Sequence, residues 1–173
     1  MRTPVASMSR DDGRVTGSGK HRVTSSADRL AGLMLAVVAL DMDVKTLGRW
    51  AAAVDVSIGS LRGYCRAAGV NPKQALDFAR LLRVVFRSDA GPWDPAQWLD
   101  VSEPRHLQGL LARGGLSQLP AEAPPRLASY LERQWLIPLR SGVVQCVATR
   151  LAVPRAKRSA ERSTEKSAKR SAK

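Results

Sequence analysis

Val54-Asp55-Val56-Ser57 and Leu99-Asp100-Val101-Ser102 are two versions of one pattern, 45 residues apart, and each has an alanine four positions before its aspartate, Ala51 and Ala96. Each is followed by a similar second half, Arg66-Ala67-Ala68-Gly69-Val70 and Ala112-Arg113-Gly114-Gly115-Leu116, now 46 residues apart. A pattern that keeps both halves while absorbing one inserted residue marks an internal repeat. Each copy reads as helix, turn, helix. Alanine at 51 or 96 lets the second helix cross close to the first. Asp55 and Asp100 fall where the first helix must stop, and aspartate tolerates left-handed backbone better than most non-glycine residues. Val56 and Val101 tuck under the turn. Ser57 and Ser102 stand where a hydroxyl caps the next helix by accepting a hydrogen bond from a free backbone N–H.

Working outward, the first unit is expected at 45–54 and 57–67, with Trp50, Ala51, Val54, Leu61 and Cys65 on its inner face. The second is expected at 95–99 and 103–112, with Leu107, Leu110 and Leu111 inward. Asn71-Pro72 opens a connecting helix over 72–87, because proline at the first helical position lacks only an N–H that has no partner there. Its apolar side is Leu76, Ala79, Leu82, Val85 and Phe86, and Lys73, Arg80, Arg83 and Arg87 decorate the rest of this rigid rod. Ahead of the first unit, Ser25 or Ser26 caps a nearly all-round apolar helix over 27–40 that braces it. After a proline-rich break, a helix at 126–136 and a weaker apolar stretch at 143–153 form an extension of open role: a third layer, a dimerisation element or an accessory unit. The division is thus a disordered arm (1–25), a double helix-turn-helix domain (26–116), a helical extension (117–153) and a disordered basic tail (154–173).

Composition agrees with an all-α fold: 173 residues with 44% hydrophobic content supply a core, while only 5% are aromatic and alternating runs are few. The net charge is +13, and residues 151–173 alone carry 8 basic against 2 acidic side chains. Such an excess favours nucleic acid or an anionic surface, since each phosphate neutralised releases condensed counterions. Cys65 and Cys146 stand alone and histidine occurs only at 21 and 106, so the sequence supports neither a disulfide framework nor a zinc site. Cys65 reads as a small core residue, and Trp50, Trp93 and Trp98 as packing residues. The longest apolar run, 30–40, is too short to span a bilayer, and no leader pattern opens the chain, so the expected location is the cytoplasm, at the nucleoid, without membrane contact. No catalytic constellation, phosphate loop or cofactor motif is present. Asp41 and Asp43 read as punctuation at a helix end.

Trp50-Ala51, Val56-Ser57, Leu61, the 66–70 turn, Asn71-Pro72 and Phe78-Ala79-Arg80-Leu81-Leu82-Arg83 together resemble the DNA-binding domain of AraC-type transcription regulators, over about residues 28–116. The resemblance implies two helix-turn-helix units joined by a long helix. It extends to the extra residue in the second unit: Leu61 lies four after Ser57, Leu107 five after Ser102. Cys65 replaces the family's usual large residue, and Gly59 and Gly63 stand where larger or polar side chains are common. The flanking sequence does not resemble the family's sugar-binding sensor, so ligand control is not implied.

A helix in the major groove reads base edges with its N-terminal half while neighbouring cations hold phosphates. The expected base readers are Ser60 and Arg62 in the first unit and Arg105, His106 and Gln108 in the second. Arginine pairs with guanine and glutamine with adenine. Ser57, Arg66, Lys73, Arg80, Arg83 and Ser102 are the expected phosphate contacts. The expected function is sequence-specific transcription regulation on double-stranded DNA, as a monomer or weak dimer, with RNA polymerase as a second partner. A single chain would grip two successive major grooves, about 34 Å apart. The alternatives are a nucleoid-associated or architectural DNA binder of low specificity, and a helical protein-interaction module.

Overall fold

The structure, a computed structural model, describes residues 25–88, 93–117 and 125–152. They form α1 (Ser26–Ala39), α2 (Leu47–Ala53), α3 (Ile58–Ala67), α4 (Pro72–Ser88), α5 (Pro95–Trp98), α6 (Pro104–Arg113), α7 (Leu127–Arg133), a 3-10 turn at Leu139–Ser141 and α8 (143–152). No strand occurs among the described residues, as the all-α reading requires. The expected tail (154–173) and residues 1–24 of the expected arm lie outside the described residues.

The first repeat unit follows its sequence logic closely. After α2 the chain turns through Asp55 at φ 54°, the one non-glycine residue with positive φ among the described residues. The Val56 N–H returns to the Ala51 carbonyl at 3.0 Å, which closes the helix end. Ser57 then caps α3, its Oγ accepting the Ser60 N–H at 3.0 Å. The second unit departs from this. Asp100 does not take the left-handed conformation; α5 ends in extended backbone at Leu99, and the Val101 N–H bonds the Leu99 carbonyl at 2.8 Å. Ser102 caps nothing. The residue that lengthens this copy is inserted between the serine and the helix: α6 opens at Pro104 with Glu103 in the cap position and no side-chain cap bond. The second halves match again. Gly69 (φ 67°) and Gly115 (φ 73°) end α3 and α6, and Val70 N–H to Cys65 O (2.9 Å) mirrors Leu116 N–H to Leu111 O (2.8 Å).

The helix expected as a rod is instead the axis of the core. Asn71 Oδ1 caps α4 by accepting the Lys73 and Gln74 N–H groups at 2.9 and 3.4 Å. From there its 17 residues run about 25 Å at 1.5 Å per residue. Ala75 through Val85 are buried without interruption, and α1, α2, α3, α5 and α7 all pack on them. Of the expected apolar side only Phe86 is exposed. α1 braces the first unit through Leu30, Ala31, Met34, Val37 and Val38, and the Trp50 indole N–H reaches back to the Leu33 carbonyl at 3.2 Å.

The C-terminal segment supplies a further layer on this core. Leu127, Tyr130, Leu131, Leu136, Ile137, Val143, Val144 and Val147 join one continuous hydrophobic cluster with α1 to α6, and the Tyr130 ring stacks on Phe78 at 5.7 Å. α7 stops at Arg133, short of the expected 136, because the buried Gln134 amide turns the chain by bonding both backbone groups of Ile137 (2.8 and 3.0 Å). Arg150 of α8 is tied to Asp28 of α1 at 2.9 Å.

Candidate nucleic-acid interface

A cleft of about 450 Å³ opens between the entry to α2, one side of α4 and α6. Its walls carry Lys45, Lys73, Arg80, Arg105, His106 and Arg113, and Asp100 is the single carboxylate among its lining residues. The parts arrive from far apart in sequence for local reasons. Lys45 stands just before Thr46, whose hydroxyl caps α2 by accepting the Arg49 N–H at 3.2 Å. Lys73 stands in the first turn of α4 under the Asn71 cap. Arg105 and His106 lie in the first turn of α6, and Arg113 in its last, where it bonds the largely buried Asp77 of α4 at 2.9 Å. Lys45 Nζ meets Asp100 Oδ2 at 2.7 Å, and this hydrogen bond holds the Asp100 carboxyl below its ordinary pKa. His106 Nδ1 faces Glu103 at 3.6 Å on the open surface.

Of the eleven residues expected to touch DNA, the cleft gathers Lys73, Arg80, Ser102, Arg105 and His106. Ser60, Arg62 and Arg66 are exposed on α3 and Gln108 on α6, outside the cleft lining. Ser57 is exposed but engaged: its hydroxyl caps α3 and donates to Ser60 Oγ at 2.9 Å.

Two of the expected phosphate contacts are corrected. Arg83 is 1% exposed and points into the protein: Nε donates to the Leu40 carbonyl at 2.9 Å, Nη2 to the Asp41 carbonyl at 2.6 Å and Nη1 to the Trp98 carbonyl. Burial, with Arg87 nearby, lowers its pKa from the ordinary arginine value. Arg80 borders the cleft but is 9% exposed and spent on Asp43, bonding both carboxylate oxygens at 2.9 and 2.6 Å. A buried guanidinium must find acceptors inside, so neither side chain is free for a phosphate.

Sequence reasoning missed the acceptor side of these contacts. Asp43 is no punctuation mark; besides Arg80 it accepts the backbone N–H of Asp100 at 3.1 Å, joining the first unit's entry, α4 and the second unit's turn at one carboxylate. Along the chain Lys45 belongs only to an expected helix, 45–54, and Arg113 only to the second half of the repeat. A signal for Arg113 is present, since Asp77 is the single acid on a helix with four basic residues. Cys65 is fully buried, and burial pushes its thiol up to about 11, in keeping with a packing role. Among the described residues no group of three or more potential metal ligands gathers, and no helix is long and apolar enough to cross a membrane. Compared with known protein families, curated proteins and solved structures, the chain matches none.

Proposed function

We propose that this chain is a sequence-specific, double-stranded-DNA-binding transcription regulator that presents α3 and α6 to successive major grooves. The observation that carries the reading is the fate of the two repeated units. The second helix of each keeps an exposed basic and polar face, Arg62 and Arg66 on α3, Arg105 and Gln108 on α6, while Asp43 and Arg83 fasten both units to one buried helix. Exposed cations on paired, fixed helices suit a polyanion with a regular repeat. The net charge of +13 adds long-range attraction.

Selection of bound sites from random duplex at moderate salt tests this. The expected result is a consensus protected over two adjacent groove segments by one chain, with Arg105→Ala relaxing preference at one position and removal of residues 154–173 flattening the salt dependence without changing the consensus. No enrichment, and no shift of any duplex at low salt, would sink the proposal. Exposed Gly59 and Gly63 on α3 favour the architectural reading as the second choice. A bound target displaced equally well by unrelated duplex would establish it.

A further inference from the structure

The cleft holds more positive charge than the protein itself neutralises. Lys73 and Arg105 have no ion-pair partner among the described residues, and Lys45 and Arg113 are paired but remain 40% and 51% exposed. Val101 and Leu110 supply apolar wall between these cations, which strengthens their field in the concavity. Asp100, held at 2.7 Å by Lys45, sits where an arriving anion would sit. A volume of about 450 Å³ lies within the usual range of small-ligand sites, roughly 300–1,000 Å³. The cations come from three separate stretches of chain and line one cleft whose single lining carboxylate is Asp100, a surplus of charge that several linked anionic groups match better than one.

We propose that the cleft binds a soluble ligand carrying two or more linked phosphates, held by Lys73 and Arg105 with Lys45 and Arg113, and that its occupation excludes the DNA duplex. Lys45 exchanges Asp100 for a phosphate oxygen as the ligand enters. The guanidinium of Arg105 supplies the planar pair of donors that phosphate accepts best, and Lys73 a mobile point charge beside it. The exclusion rests on the DNA-binding reading; ligand binding does not.

Calorimetric titration of the full chain with sodium tripolyphosphate at fixed ionic strength tests the binding. One tight site per chain is expected, weakened about tenfold or more in the Lys73→Ala/Arg105→Ala double variant and tightened in Asp100→Asn, which removes the competing carboxylate. Both variants keep the basic tail and alter exposed side chains, so each remains folded by circular dichroism. Equal affinity in wild type and double variant would place the binding elsewhere and overturn the proposal. In a second arm, a labelled duplex from the selection is bound first. Tripolyphosphate displaces it at concentrations matching the calorimetric affinity, whereas orthophosphate at the same ionic strength does not. Binding without displacement overturns the exclusion. If no duplex is bound at all, the DNA reading fails and the calorimetry alone judges the cleft.

Discussion

Arg80 and Asp43 meet through two hydrogen bonds, Nε to Oδ1 at 2.9 Å and Nη2 to Oδ2 at 2.6 Å, and the backbone N–H of Asp100 shares Oδ2 at 3.1 Å. Removing the acid leaves a buried guanidinium and a backbone donor without a partner. Asp43→Ala should therefore lose about 3–5 kcal/mol in urea unfolding, against less than about 0.5 kcal/mol for the exposed Lys73→Ala. Similar losses in the two variants would refute the role given to Asp43.

The two turn serines should separate cleanly. Ser57→Ala removes a cap bond of 3.0 Å and should cost about 1 kcal/mol, while Ser102→Ala, which caps nothing, should change stability by a few tenths. Equal effects in chemical denaturation would mean that the second unit is built like the first.

Glycines in the two units predict opposite signs. A Cβ on Gly114 would collide with Leu81 Cδ1 in the core, so Gly114→Ala should destabilise by about 1–3 kcal/mol. A Cβ on Gly63 meets nothing within 4 Å, and Gly63→Ala should stabilise by up to about 1 kcal/mol through helix propensity. Thermal unfolding of both variants decides; a destabilised Gly63→Ala would contradict the open face of α3.

Tyr130 keeps its ring on Phe78 but its hydroxyl is buried without a hydrogen-bond partner. Tyr130→Phe should be neutral or stabilising by about 1 kcal/mol. Burial, with Asp77 adding, raises the phenol well above its ordinary pKa. The unfolded chain ionises near about 10 and the folded chain does not, so stability is full below that pH and falls as the pH climbs past it. Unfolding midpoints measured from neutral to strongly alkaline pH should decline less in Tyr130→Phe than in wild type. Parallel declines would show that the phenol is not buried as described.

The order of helices was readable because it rests on local chemistry: Ser57, Asn71-Pro72, Asp55 and the glycines at 69 and 115 each do in the fold what their residue type prescribes. The burial of α4 was not. Arg80 and Arg83 look like solvent-facing charges on an amphipathic helix, and only partners 15 to 43 positions away in sequence, Asp43 and the Leu40, Asp41 and Trp98 carbonyls, take them inside. Ser102 caps nothing although the extra residue lies where the repeat puts it, between this serine and Leu107, because Pro104 starts α6 one residue later than the expected 103 and leaves Glu103 in the cap position. Of the candidate site, Lys73, Arg105 and His106 were legible as exposed first-turn residues. Lys45 and Arg113 join them only through tertiary packing, which no spacing along the chain encodes.

Arg83 ties three carbonyls, two from the segment that leads into the first unit and one from the end of α5, to the side of α4. The halves of the molecule are thereby denied a hinge. On the DNA-binding proposal, a duplex engaged by both would have to match a preset template, and any mismatch in pitch or curvature would be taken up by deforming the nucleic acid, at an energy that varies with its base steps.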